Sequence, residues 1–288
     1  MSDLILSPLK HKVRPPIKKV IIEGSKFLSN FKIYNSKNEI EWFLQKLYNC
    51  NKFELYNIRN EKITHSAYQS INQFLTKRAQ HVPFQYLIGT APFYDKNFIV
   101  SPKTLIPRPE TEILIDIIKN KKVDKLLDIG TGCGCLAIIA KLKNIAEKID
   151  AIDISQGAID IAKKNAAQFN IKDIQFKKMN ILTKTPLGHY DLILSNPPYI
   201  SYDEYKNLHQ EIINYEPSSA LTDFKSGYDF YIRYSKIFKK ILKKDGLAVL
   251  EISQFFSIKK IKDIFQEFKN IKFYKDLNKN YRAISIIF

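Results

Sequence analysis

The stretch Leu126-Leu127-Asp128-Ile129-Gly130-Thr131-Gly132-Cys133-Gly134 decides how this chain is read. A short apolar run ends in a carboxylate and then three glycines at the spacing G-x-G-x-G. Glycine tolerates positive φ and lets a ligand approach the backbone, so the pattern predicts a tight turn at the carboxyl end of a strand. Residues 135–143 then carry helical spacing. The loop differs from the dinucleotide spacing G-x-G-x-x-G. Taken alone it suits either a nucleotide-like ligand or an ordinary strand-to-helix turn.

From residue 123 onward, strand-like and helix-like segments alternate. Strands are expected at 125–129, 148–154, 174–179, 190–195 and 247–252, and helices at 135–143, 156–169, 228–243 and 258–268. Short apolar strands separated by helices indicate an α/β fold, a doubly wound and mainly parallel sheet covered on both faces. The last two strands, 271–274 and 283–288, have only 275–282 between them and so predict a C-terminal antiparallel hairpin.

Two further groups fall at strand ends in this frame. Asp153 lies 19 residues after Gly134, at the end of the second strand, where a carboxylate can accept hydrogen bonds from both hydroxyls of a ribose. Asn196-Pro197-Pro198-Tyr199 follows the fourth strand. Two prolines cannot extend a central strand, so the chain turns out of the sheet there with its carbonyls free to accept. The Asn196 side chain adds a second acceptor and Tyr199 a flat face. Together they would hold a planar NH2 group.

In that order, Asp128-Ile129-Gly130-Thr131-Gly132, Asp153 and Asn196-Pro197-Pro198-Tyr199 resemble the class I S-adenosylmethionine-dependent amino-methyltransferases. The N-P-P-Y element is shared by enzymes that methylate adenine N6, cytosine N4 and glutamine amides. Three other stretches resemble the peptide chain release factor glutamine methyltransferases: Pro83-Phe84-Gln85-Tyr86-Leu87-Ile88-Gly89, Leu105-Ile106-Pro107-Arg108-Pro109-Glu110-Thr111-Glu112 and Tyr215-Glu216-Pro217-Ser218-Ser219-Ala220-Leu221. The resemblance is strong over residues 83–288, and the run from Pro107 to Glu112 is its most specific piece.

The resemblance implies a Rossmann-like, seven-stranded sheet and S-adenosyl-L-methionine as cofactor. It implies Asp128, Gly130, Thr131, Gly132, Cys133, Gly134, Asp153, Asn180, Ile181 and Asn196 around that cofactor, with Asp128 near its ammonium group. It implies Asn196, Pro197 and Tyr199 as the catalytic set, and Pro198 beside them against the substrate. The substrate implied is the glutamine of a Gly-Gly-Gln loop in a peptide chain release factor. The chain departs from the family at Asn180-Ile181, where an acidic residue and Trp are usual. The competing expectations are a glutamine of a ribosomal protein, an exocyclic amine of a nucleic-acid base, or a ribosome- or RNA-binding protein without catalysis.

The first 85 residues contain one glycine, Gly24, and no chemistry-bearing motif. Residues 17–31 place Val20, Ile21, Phe27, Leu28 and Phe31 on one helical stripe. Ser36-Lys37-Asn38-Glu39 has the pattern of a capping box opening a second helix. Residues 65–80 repeat the helical pattern. Residues 1–85 are thus expected to form a small helical substrate-docking domain, with its aromatics in the core. A linker or hairpin is expected over 86–109, and the methyltransferase domain over 110–288.

Of the 288 residues 45% are hydrophobic and 26% charged, which excludes wholesale disorder. No apolar stretch approaches the 18 residues of a spanning helix. Met1-Ser2-Asp3-Leu4 lacks the charged and apolar regions of a secretory signal, and three cysteines make a disulfide framework implausible, so a cytoplasmic location is expected. Cys133 and Cys135 lack the partners of a zinc site, and no metal is expected. The net charge of +17 suits a polyanionic partner, but only six of the 46 basic residues are Arg, the residue preferred for phosphate forks. Coding bias toward Ile, Asn and Lys accounts for it more simply, so no nucleic acid is required, and no membrane partner is expected. A monomer is expected.

Overall fold

The computed structural model describes Pro8, Leu9, His11 and residues 13–288, so the reading of Met1–Leu4 lies outside the described residues. The chain divides into two compact units between Gly89 and Thr90.

The first unit holds five helices: α1 (Ile17–Ser29), α2 (Ser36–Tyr48), α3 (Lys52–Asn57), α4 (His65–Ala79) and α5 (Phe84–Ile88). Their apolar stripes meet in a core around Val20, Leu28, Ile40, Leu44, Ile71 and Leu75. Gly24 lets α1 approach closely, since a Cβ there would sit 3.0 Å from Ile40 Cδ1. The capping box expected at Ser36–Glu39 does not form. Ser36 is already helical, its hydroxyl donates to the Ser25 carbonyl, and Glu39 is buried against Arg78 Nε at 2.7 Å. A capping box forms instead at Asn51 and Glu54, at the start of α3.

The second unit opens with an antiparallel hairpin, β1 (Thr90–Phe93) and β2 (Lys96–Ile99). This segment is no free linker. Phe98 is fully buried, its ring 5.3 Å from Phe169, and Asn165 bonds both polar groups of Ile99. A 3-10 turn at Pro109–Thr111 leads into α6 (Glu112–Ile118). Then follow β3 (Val123–Ile129), α7 (Cys135–Leu142), β4 (Ala146–Asp153), α8 (Gln156–Gln168), β5 (Ile174–Lys178) and β6 (Tyr190–Ser195). Two short helices, α9 (Tyr202–Lys206) and α10 (Gln210–Tyr215), precede α11 (Asp229–Ile241), β7 (Leu242–Glu251), α12 (Ile258–Ile264), β8 (Asn270–Lys275) and β9 (Tyr281–Ile287).

The sheet has seven strands in the order β5-β4-β3-β6-β7-β9-β8. Strands β3 to β7 run parallel, and β8 and β9 form the expected antiparallel end. The order reverses between β3 and β6, the crevice where doubly wound sheets bind ligands. Register then sets the site. Ile129 pairs with Ile152 on one side and Ser195 on the other, and Ser195 pairs with Leu250. The next residues along four adjacent strands are therefore Gly130, Asp153, Asn196 and Glu251, all at one level.

Candidate active site

Above those strand ends lies a cleft of about 290 Å3. Its floor is the glycine loop. Gly130, Gly132 and Gly134 all have positive φ, at 74°, 55° and 85°. A Cβ on Gly132 would meet nothing within 4 Å, so the space above it is open to a ligand. Gly134 serves packing instead: its Cβ would lie 3.0 Å from Ala162 Cβ, and it does not line the cleft. Thr131, Cys133 and Cys135 line the cleft beside Gly130 and Gly132.

Asp128 lies beneath this loop rather than in the cleft. It is fully buried, its Oδ2 accepts from Thr131 Oγ1 at 2.6 Å, and Oδ1 has no hydrogen-bond partner. Burial pushes its pKa up to about 7, against the Thr131 hydrogen bond, which lowers it. Asp153 faces the cleft from the end of β4. Oδ2 accepts from the Gly132 N–H and Oδ1 from the Ser155 N–H, each at 2.9 Å. Each oxygen keeps a lone pair for a further donor. Burial raises the Asp153 pKa and its backbone donors oppose the shift.

Asn180 and Ile181 line the far wall with Met179 and Phe230. Arg233 on α11 pins that wall, donating from Nε to the Ile181 carbonyl at 2.9 Å and from Nη2 to the Lys184 carbonyl at 3.1 Å. Asn165 on α8 ties the loop to the hairpin, since its Nδ2 donates both to the Cys133 carbonyl at 2.8 Å and to the Ile99 carbonyl at 2.9 Å. Neither residue was among the sequence candidates.

Asn196, Pro197 and Pro198 close the cleft above β6. Asn196 Nδ2 donates to Thr111 Oγ1 at 3.1 Å. A second cavity of about 130 Å3 adjoins the first, and Asn196 and Pro197 line both. Tyr199 lines only the second, as do Ile200 and Ile212. Its hydroxyl donates to Glu251 Oε1 at 2.9 Å, and burial together with that carboxylate raises its pKa. The run from Leu105 to Glu112 forms the rim. Pro107, Arg108 and Thr111 line the cleft, and Arg108 pairs with Glu216, which also accepts from the Ile106 N–H at 3.2 Å. His189 is exposed in the bend before β6, away from these cavities.

The larger cavity offers a carboxylate with free lone pairs, a glycine floor and apolar walls. Those features fit a nucleoside-bearing cofactor lying across β3, β4 and β6. The adjoining small cavity, with polar atoms at the shared wall, has room for a planar side chain.

The methyltransferase small domain family matches residues 109–223, and the PrmC N-terminal domain family matches residues 19–89. A bifunctional methyltransferase of Rickettsia prowazekii is 36% identical over 79% of this chain and 48% of its own. The chain thus spans about half the length of the first curated relatives it matches. A release factor glutamine methyltransferase of Lactococcus lactis is 34% identical over 86% of this chain and 93% of its own. The crystal structure of a methyltransferase from Pyrococcus furiosus covers 66% of this chain and 87% of its own at a TM-score of 0.52 and 18% identity, a likeness of fold. With both of its units matched and a relative spanned almost end to end, this chain belongs to the release factor glutamine methyltransferase family.

Proposed function

We propose that this protein transfers a methyl group from S-adenosylmethionine to the side-chain amide nitrogen of the glutamine in the Gly-Gly-Gln loop of a peptide chain release factor. The observation that carries this reading is the wall shared by the two cavities. Asn196 and Pro197 stand between a cofactor-sized cleft and a cavity sized for one side chain.

When bound, the cofactor supplies an electrophilic methyl group on a sulfonium. The chain's own task is to present a poor nucleophile to it, because the amide lone pair is delocalised into its carbonyl. Asn196 Nδ2 is held by Thr111, which leaves Oδ1 to accept one amide N–H. The Pro197 carbonyl accepts the other, and Tyr199 packs against the amide plane. Positive charge grows on the nitrogen during transfer, and two fixed carbonyl dipoles stabilise it more than they stabilise the neutral amide. No strong base is required, since the charged nitrogen releases its proton readily. Asp153 takes the ribose hydroxyls, the loop Gly130–Cys133 the methionine portion, and Ile181 with Met179 the adenine. Action in the cytoplasm follows from the substrate. Among the described residues no helix is long and apolar enough to cross a membrane.

The test is transfer of tritium from labelled S-adenosylmethionine. An intact release factor is expected to accept it, and its Gln→Glu variant, which lacks the amide nitrogen, is expected to accept none. Label appearing in RNA or DNA, and not in the release factor, overturns the reading in favour of a base methyltransferase despite the family match.

A further inference from the structure

Among the described residues, two buried side-chain oxygens have no hydrogen-bond partner: Asp128 Oδ1 and Glu251 Oε2. Glu251 ends β7, is 1% exposed, and lies at the level of Asn196 on the neighbouring strand. We propose that Glu251 is a positioning residue, which turns the Asn196 carbonyl oxygen toward the acceptor amide by fixing the direction of the hydrogen bonds made by Thr111 and Tyr199. This rests on the reading of Asn196 as an amide acceptor.

An ionised carboxylate can only accept. Tyr199 therefore donates to Oε1, and its ring is held at the edge of the small cavity. On the other side, Thr111 Oγ1 receives the Asn196 Nδ2–H. A hydroxyl has one proton of its own, and no other acceptor bonds it among the described residues. Glu251 Oε2 is the buried acceptor left without a partner, and the Thr111 hydroxyl bears on that carboxylate in the sense of a donor, lowering its pKa. Turning the Thr111 proton to the orphaned Oε2 sets the polarity from one end: the carboxylate accepts from Thr111, Thr111 accepts from the Asn196 nitrogen, and the Asn196 oxygen is left outward. With a neutral group at position 251 the Thr111 hydroxyl is free to turn and donate to Asn196. The Asn196 amide then flips and sets its NH2 against the NH2 of the acceptor, two donors facing each other.

The surroundings suit a charge held in place by these bonds. Tyr231 on α11 donates to the Glu251 backbone carbonyl at 2.6 Å, fixing the strand end. Arg282 on β9 attracts the carboxylate but is itself engaged with Asp276, and Glu110 in the 3-10 turn repels it. Burial raises the Glu251 pKa, so protonation of this residue interrupts the relay as the pH falls.

The experiment compares Glu251→Gln, Thr111→Val and Thr111→Ser with the wild-type chain. Turnover, cofactor affinity and melting temperature are measured, together with the 15N–1H signal of the Asn196 side-chain amide, assigned by its loss in Asn196→Asp. Glu251→Gln and Thr111→Val are expected to lower kcat by on the order of 10²-fold, with cofactor affinity unchanged in Glu251→Gln, whose side chain does not line the cofactor cleft. Thr111→Ser, which keeps the hydroxyl, is expected to restore most of that loss. The acid limb of the kcat profile should vanish in Glu251→Gln, and its Asn196 amide signal should move to the Thr111→Val position. A folded Glu251→Gln variant with wild-type kcat, pH profile and amide signal overturns the proposal. If the wild-type chain methylates no release factor, the functional reading fails, and the amide signal alone then decides the orienting role.

Discussion

The Gly132 N–H donates to Asp153 Oδ2 at 2.9 Å, so the carboxylate that faces the cleft also holds the glycine loop in shape. Asp153→Ala removes both a ribose acceptor and a loop anchor. Hydrogen bonds to a charged acceptor contribute about 1.5–3 kcal/mol each, so cofactor affinity is expected to fall at least about tenfold. Calorimetric titration with S-adenosylmethionine checks this, and unchanged affinity removes Asp153 from the cofactor site.

The Asn196 prediction separates chemistry from binding. Asn196→Ala deletes a dipole needed most as charge grows on the attacking nitrogen, and loss of one such preorganised group costs on the order of 10²–10³ in rate. Cofactor affinity is expected to change far less. Single-turnover kinetics beside a cofactor titration checks the split. Near wild-type turnover would contradict the amide-clamp arrangement.

The pH dependence of stability should carry the signature of Asp128. Its pKa is raised from 3.8 to about 7 by burial, so the folded state binds a proton in that window that the unfolded state has released. The stability held by the protonated form is complete below about pH 4 and is lost as the pH rises through about 7. Asp128→Asn keeps an acceptor for Thr131 and abolishes the titration. The melting temperature of the variant relative to wild type is expected to rise between pH 4 and pH 7 and then level. One kcal/mol corresponds to about 2–4 °C in a domain of this size, and a gain of at least that amount is expected at pH 8. A difference that does not vary with pH would place the charge elsewhere.

Much of the second unit is legible in the sequence because its strands are short apolar runs ended by residues with distinct backbone demands. Gly130 requires positive φ, and Pro197 and Pro198 cannot continue a ladder. What escapes is whatever depends on a distant partner. Ser36 and Glu39 carry a capping pattern, but Arg78, 39 residues on from Glu39, takes the carboxylate. Asn165 sits on the apolar face of α8 among Ile161, Ala162 and Ala166, and only the fold brings Cys133 and Ile99 to it. Glu251 had a signal of its own, a lone carboxylate closing the apolar run Leu247–Leu250, yet its meaning comes from register with β6. The helices α9 and α10 are short and bury none of their residues, so periodicity has nothing to show there.

Gly227 and Gly132 predict opposite failures. Gly227 has φ +82°, and a Cβ there would lie 2.3 Å from the Tyr199 carbonyl oxygen, a contact only a backbone shift can relieve. Gly227→Ala therefore pushes on the residue whose hydroxyl is anchored to Glu251 and whose ring lines the small cavity. Left-handed backbone alone costs a non-glycine residue roughly 1–2 kcal/mol. Gly227→Ala is thus expected to lower stability and to lower kcat on the protein substrate more than cofactor affinity. Gly132, at φ +55°, shares that backbone cost but has no such clash, with open space around an added Cβ, and that space lies in the larger cleft. Gly132→Ala is expected to weaken cofactor binding first. Measuring cofactor affinity and turnover for both variants separates the two cavities by function. Equal effects of both substitutions on cofactor affinity would show that the wall formed by Asn196 and Pro197 does not divide cofactor from acceptor.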